Sequence, residues 1–268
     1  MRNLKKGLLL LITLLTNVLF FSGLFAQSEI PELVTDRPDQ TESTSIVPID
    51  FIQIEMGFLY QQQKYSEEII SIENDNLILG STLLRYGVSS SIEFRFGGEY
   101  FYGQNFLNDV KSTIQGVQNI FVGTKLLFRS EEKILTNAAI LVQCIIPFGN
   151  EKLRQDKFEP EIKLCLEQEI NDRISFGANF GTEEVSDVGK YFYSYTTTIG
   201  ISLSERMNSF FEIYGTMRNG YIPSNNFDCG LTYLHTKNIQ IDFSIGTTLN
   251  SDISDWFGGF GISIRLPR

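Results

Sequence analysis

The chain has 268 residues, a formal net charge of −10 and an isoelectric point near 4.7. That acidic balance argues against nucleic acid as a partner. A mean hydropathy of −0.04 excludes a bundle of membrane helices, but not a membrane barrel, in which only every second residue meets lipid.

Arg2, Lys5 and Lys6 open the chain, Gly7 to Phe25 is almost wholly apolar, and Ala26 ends the run just before Gln27. A basic start, an apolar stretch and a small closing residue predict a secretory signal peptide over residues 1–26. The alternative is an N-terminal membrane anchor, because the run approaches spanning length. No Cys stands at the expected cleavage site, so lipidation there is not expected. Beyond residue 26 no apolar stretch is long enough for a membrane helix.

Residues 27–50 read as a periplasmic or plug segment ahead of a barrel over residues 51–268. Asp36, Arg37, Asp39 and Glu42 crowd around Pro38, which suits neither a strand nor a helix interior. Mixed charge of this density beside a channel mouth suggests pairing with charges inside, such as Arg85, Arg95 and Glu55. An ordinary solvated tether is the other reading.

Thr35-Asp36-Arg37-Pro38-Asp39-Gln40-Thr41-Glu42, then Val47-Pro48, then Gln53-Ile54-Glu55-Met56-Gly57-Phe58 resemble the opening of a bacterial outer-membrane family. That family is catalogued under the meta-pathway of phenol degradation and labelled as transporters. The resemblance is specific over residues 33–60 and diffuse to the C-terminus. It implies an outer-membrane β-barrel that passes hydrophobic or aromatic compounds, and it carries over no catalytic residue. One departure is the end of the chain, Leu266-Pro267-Arg268, where such barrels commonly finish on an aromatic residue that helps assembly.

From Gln53 onward the sequence reads as about twelve strands whose connections alternate between long and tight. Long polar gaps fall at Ser66–Asp75, Gly103–Thr113, Phe148–Phe158, Thr182–Lys190 and Arg218–Asn225. Tight ones fall at Ser89–Ser91, Ser130–Lys133, Asn171–Arg173, Ser204–Asn208 and Thr236–Asn238, and Asn250–Asp255 closes the series. This rhythm predicts an all-β, antiparallel transmembrane β-barrel with short periplasmic turns and longer outer loops. A soluble sandwich has no reason to alternate its connections, since both its ends face water. The least defined strand is Ile134–Pro147, where Ala138 to Val142 are apolar on both faces and no register can be assigned.

Strand side chains alternate between two sides. In Ile239–Asn250, Ile239, Ile241, Phe243, Ile245, Thr247 and Leu249 oppose Gln240, Asp242, Ser244, Gly246, Thr248 and Asn250. The face opposite the apolar one also carries Glu55, Arg85, Glu93, Arg95, Glu99, Lys125, Glu161, Lys163, Glu167, Glu212 and Asp242. Charges on strand interiors are costly unless wet or paired, and a lumen offers both, so these are the candidate selectivity residues. Tyr60, Tyr65, Tyr86, Tyr100, Tyr102, Tyr191, Tyr193 and Trp256 lie towards strand ends and are read as interface girdles.

Little points to chemistry. His235 is the single histidine and falls at a strand end by a tight turn, without a nucleophile beside it. Cys144, Cys165 and Cys229 show no paired spacing and read as packing side chains, although an exported protein could join two of them. Glu183, Glu184 and Asp187 lack the spacing of a calcium loop. Gly97-Gly98 and Gly258-Gly259 read as strand kinks. The expectation is a monomeric outer-membrane channel of a Gram-negative-type bacterium, free of cofactor and metal. Its partners would be membrane lipid, a small solute and the barrel-assembly machinery. The competing readings are a plugged structural or adhesion barrel, a soluble secreted lipid-binding β protein and a barrel enzyme.

Overall fold

The computed structural model describes residues 31–66, 71–108, 110–129, 137–185, 190–218, 223–250 and 254–267. The signal-peptide reading, the tight turn at Ser130–Lys133 and Asp187 lie outside these residues. The described chain forms a closed barrel of twelve antiparallel strands: β1 (Ile52–Ser66), β2 (Ser71–Ser89), β3 (Ile92–Leu107), β4 (Val110–Arg129), β5 (Asn137–Ile145), β6 (Glu159–Asn171), β7 (Ile174–Val185), β8 (Lys190–Ser204), β9 (Met207–Met217), β10 (Ser224–Thr236), β11 (Ile239–Thr248) and β12 (Ser254–Leu266). Each strand pairs with its sequence neighbours, and β1 closes on β12 from Ile52 opposite Leu266 to Lys64 opposite Ser254. Closure leaves no unpaired sheet edge, and strand order round the barrel follows chain order.

The burial pattern is that of a soluble protein turned inside out. Phe94, Phe180 and Phe243 are 58, 52 and 53% exposed, whereas Glu55, Glu93 and Lys125 are fully buried. Such a surface demands a hydrocarbon exterior and an interior that can hold charge. The barrel therefore spans the outer membrane, and the soluble lipid-binding reading falls away. Among the described residues no helix is long and apolar enough to cross a membrane, which leaves the strands to do so.

Three expected long gaps are mostly strand, the one at Thr182–Lys190 because β7 and β8 stay paired up to Val185 opposite Lys190. β1 and β2 stay paired up to Ser66 opposite Ser71, and β3 and β4 up to Leu107 opposite Val110, with Asn108 turning the chain at a positive φ of 46°. Polar residues there pair their backbones in water above the bilayer, and polarity alone cannot separate that state from a loop. The stretch 146–158 is a true outer loop. It straps back onto β4 through Asn150 N–H to Val117 O (2.8 Å) and Ile146 N–H to Ile120 O (2.8 Å).

The register of β5 is set by its neighbours. Leu141 faces Lys125 on one side and Lys163 on the other, which turns Ala139 and Leu141 inward, where they are fully buried with Cys165. Among the described residues all three cysteines are free. The ladder is interrupted where Gly80 (φ 67°), Gly98 and Asn119 (φ 52°) fall on adjacent strands. Gly98 thus sits at a kink, whereas Gly258 and Gly259 pair in unbroken register with Tyr60 and Leu59. Trp256 stacks edge-on against Tyr60 at 5.5 Å on the outer face, but Tyr65 lines an internal cavity and is no girdle residue.

Phe243→Arg places a charge on the lipid face in the middle of β11. It is expected to destabilise the barrel by about 2–4 kcal/mol, measured by urea titration in lipid vesicles.

Candidate pore and its internal segment

The chain before β1 enters the bore rather than leaving it. Leu33, Asp36, Thr41, Thr44 and Val47 are all buried against side chains that alternation turns inward from the strands. Its path is held first by backbone. Asp50 N–H bonds Gly87 O (3.0 Å) and Gly87 N–H bonds Phe51 O (3.2 Å). Gly87 is required here, because a Cβ would overlap the carbonyl oxygens of Val47 and Pro48.

Charge then fixes the segment on the β1–β4 wall. The Asp36 carboxylate receives Arg85 (3.2 Å), Arg95 (2.6 Å) and Lys125 (2.8 Å). Glu42 pairs with Arg95 at 2.8 Å and Lys125 at 3.5 Å. Glu55 and Glu93 take the remaining edges of Arg85 at 2.9 and 3.0 Å, and Glu93 also receives Val47 N–H at 2.9 Å. Glu55 accepts Asp36 N–H at 3.0 Å. Seven charged groups named from sequence are thereby gathered into one network. Burial opposes ionisation of Asp36, but Arg85, Lys125 and Arg95 together hold its carboxyl well below the usual carboxylate range.

The other wall is acidic. Glu212 accepts Gln40 N–H (2.7 Å) and the hydroxyl of Thr41, while Glu167 accepts the hydroxyl of Thr44 at 2.6 Å. Asp242 meets Arg37 at 3.3 Å. Arg37 lies in a notch between Gly57 of β1 and Gly261 of β12, which are direct ladder partners, and a Cβ on either would overlap its guanidinium. Asp39 is pushed well above the usual range by burial and by the carboxylates of Glu212 and Asp228.

Three candidates stand apart from the segment. Glu161 pairs with Lys163 at 2.9 Å, and Glu99 accepts the amides of Gln118 (2.8 Å) and Asn119 (2.9 Å). Sequence reasoning passed over Asp228, the Gln53 amide that bonds Val34 O and Glu55, and Gln240, whose amide donates to Thr35 at 2.7 Å. All three lie on inward positions, so alternation was the signal that would have found them.

The segment is a septum. A cavity of about 320 Å³ on the tight-turn side and one of about 460 Å³ on the loop side share Arg37, Pro38, Asp39 and Glu42 in their walls. Farther out, about 930 Å³ open among Gln61, Gln63, Asn74, Tyr214, Asn226 and Asp255. The 460 Å³ cavity sets apolar Leu59, Ile78, Leu83, Phe121, Ile145 and Phe257 above a charged floor. His235 is exposed at the inner end of β10, beside Tyr233. Among the described residues no group of three or more His, Cys, Asp or Glu is placed to hold a metal ion.

Residues 35–266 match the family described as "Putative MetA-pathway of phenol degradation". The chain belongs to that family. By structure it is similar to the COG4313 outer membrane channel from Pseudomonas putida F1, with a TM-score of 0.62 and 9% identity over 91% of this chain and 100% of that one. It is also similar to the translocator domain of the autotransporter NalP from Neisseria meningitidis, with a TM-score of 0.55 and 7% identity over 80 and 88% of the two chains. At such identities these likenesses bear on the fold. No curated protein matches the chain by sequence.

Two outcomes are expected. Asp36→Ala leaves Arg95 and Lys125 short of a counter-charge and lowers stability by about 3 kcal/mol, read as the urea midpoint in detergent. Because the Asp36 carboxyl is depressed when docked, its contribution is complete above its ordinary value of 3.8 and is lost only as pH falls well below that. The difference between wild type and Asp36→Ala should therefore be flat from neutral pH down to about 4 and close only in stronger acid.

Proposed function

We propose that the protein is an outer-membrane channel for small solutes of hydrophobic or aromatic character, with residues 32–50 as an internal plug. The observation that carries this reading is the septum: cavities of about 320 and 460 Å³ lie on the two faces of one stretch of chain inside the closed barrel. Twelve strands enclose a bore between the filled eight-stranded barrels and the open sixteen-stranded porins, wide enough for a single-ring compound once the stretch moves. The apolar wall above the septum and the family's phenol-degradation description support the solute class. The similarity in fold to the Pseudomonas outer membrane channel supports passage. The chain acts as a monomer placed by the barrel-assembly machinery, and as a channel rather than an enzyme, a reading supported by the outer-membrane channel whose fold it shares.

A permanently closed structural barrel is the second reading, favoured by the number of ion pairs that Asp36 and Glu42 make with the wall. Deleting residues 33–43 separates the two. A gated channel conducts in bursts as wild type and steadily as the deletion variant in planar bilayers, and swelling of loaded liposomes is faster with phenolic compounds than with sugars of similar size. Wild type that never conducts, beside a deletion variant that does, identifies a sealed barrel. Equal permeability of the two removes the plug assignment.

A further inference from the structure

The two walls of the bore are unequal in how their charges are spent. On β2–β4 the three buried cations are already shared: Arg85 lies within 3.2 Å of three carboxylates, Arg95 within 3.4 Å of three, and Lys125 within 3.5 Å of two. On β9–β11 the carboxylates face one another or neutral donors, with Arg37 on Asp242 as the one cation. Asp228 stands directly opposite Glu212 in the ladder. It is fully buried, and apart from the Glu212 carboxyl beside it neither of its oxygens meets a hydrogen-bond donor. Glu212 accepts the Gln40 N–H and the Thr41 hydroxyl and lies within side-chain hydrogen-bond reach of Asp228 itself. Asp242 keeps one oxygen without a donor while Arg37 takes the other. Asp39 adds a further carboxyl to this side, in the cavities above and below the septum.

Movement of the segment does not even out this imbalance. Arg85 keeps Glu55 and Glu93, and Arg95 keeps Glu93, so among these three Lys125 alone loses its ion pairs, with Glu93 opposite it in the ladder as its remaining carboxylate neighbour. At the same time Glu212 and Asp242 lose their donors and meet the solution beside Asp228. Acidic side chains facing a narrow pore raise the local concentration of cations and repel anions. The Debye length, about 10 Å at 0.1 M salt, is too long to screen them across a bore of this width.

Resting on the channel reading above, we infer that Glu212, Asp228 and Asp242 make this pore selective for charge. Neutral and cationic solutes pass, and anions of the same size, aromatic carboxylates included, are turned back. The Glu212–Asp228 pair, opposite each other in the ladder and without a cation of its own, is the station at which an ammonium group or a hydrated alkali ion would be held.

The test is the reversal potential in a potassium chloride gradient, for wild type and for the variant lacking residues 33–43. Each is compared with its Glu212→Gln/Asp228→Asn/Asp242→Asn counterpart, and folding of every protein is checked by heat-modifiable gel migration. A several-fold preference for potassium over chloride in both parent proteins, lost largely in both triple variants, supports the inference. A preference for chloride, no preference, or a cation preference that the triple variants retain overturns it. Glu99→Gln, far from this wall, serves as the control: if it removes the selectivity as completely as the triple change does, the assignment to β9–β11 is overturned. Absence of current in every protein overturns the channel reading, and this inference with it.

Discussion

Three cations on one wall of a narrow bore need more counter-charge than that wall supplies, and Asp36 makes up the difference. Arg85 finds Glu55 and Glu93 on its own strands' neighbours, but Lys125 bonds to the segment alone: Asp36, Glu42 and the Ser43 carbonyl. Removing one partner of a buried pair is far more costly than never having built it. The strands and the segment before them therefore form one structure, and the bore is a place whose charge is balanced only when that segment is home. The arrangement has the form of a bistable element. Neutral donors and one guanidinium hold the segment to the acidic wall, carboxylates hold it to the basic wall, and anything that screens both loosens it.

The wall is shaped for this occupant. Gly57 and Gly261, opposite each other on β1 and β12, leave the slot that Arg37 fills, and Gly87 lets the Val47–Pro48 backbone pass. Glycine weakens a strand, and here that cost is offset by close approach. Outside, the same strands present Phe, Ile and Leu to hydrocarbon. The period of two separates these demands cleanly, so that a change such as Phe243→Arg and one such as Asp36→Ala act on different sides of one backbone.

Much of this was legible in the residue order. Closure, strand count and the inward set Glu55, Arg85, Glu93, Arg95, Lys125, Glu212 and Asp242 follow from alternation, because each strand offers only two faces. The charged run around Pro38 announced a partner for those residues. Less was legible where two physical states share one composition. The tops of β1–β4 are polar whether paired in water or looped, so strand ends were placed too low. Ala138–Val142 is apolar on both faces, and only the pairing of Leu141 with Lys125 and Lys163 set its register. Asp228 was missed because a carboxylate without a counter-charge looks, in sequence, like any other lumen residue.

The central claim is that residues 32–50 lie across the bore, fastened to both walls. Thr41 Oγ1 stands 2.7 Å from Thr196 Oγ1, one on the segment and one on β8. With Cys144, Cys165 and Cys229 replaced by serine, Thr41→Cys and Thr196→Cys together should form an intramolecular disulfide in membranes under mild oxidation. That bond should hold conductance at its closed level until a reductant restores it. Two cysteines that stay reduced and freely labelled by a maleimide while the barrel is folded would contradict the account.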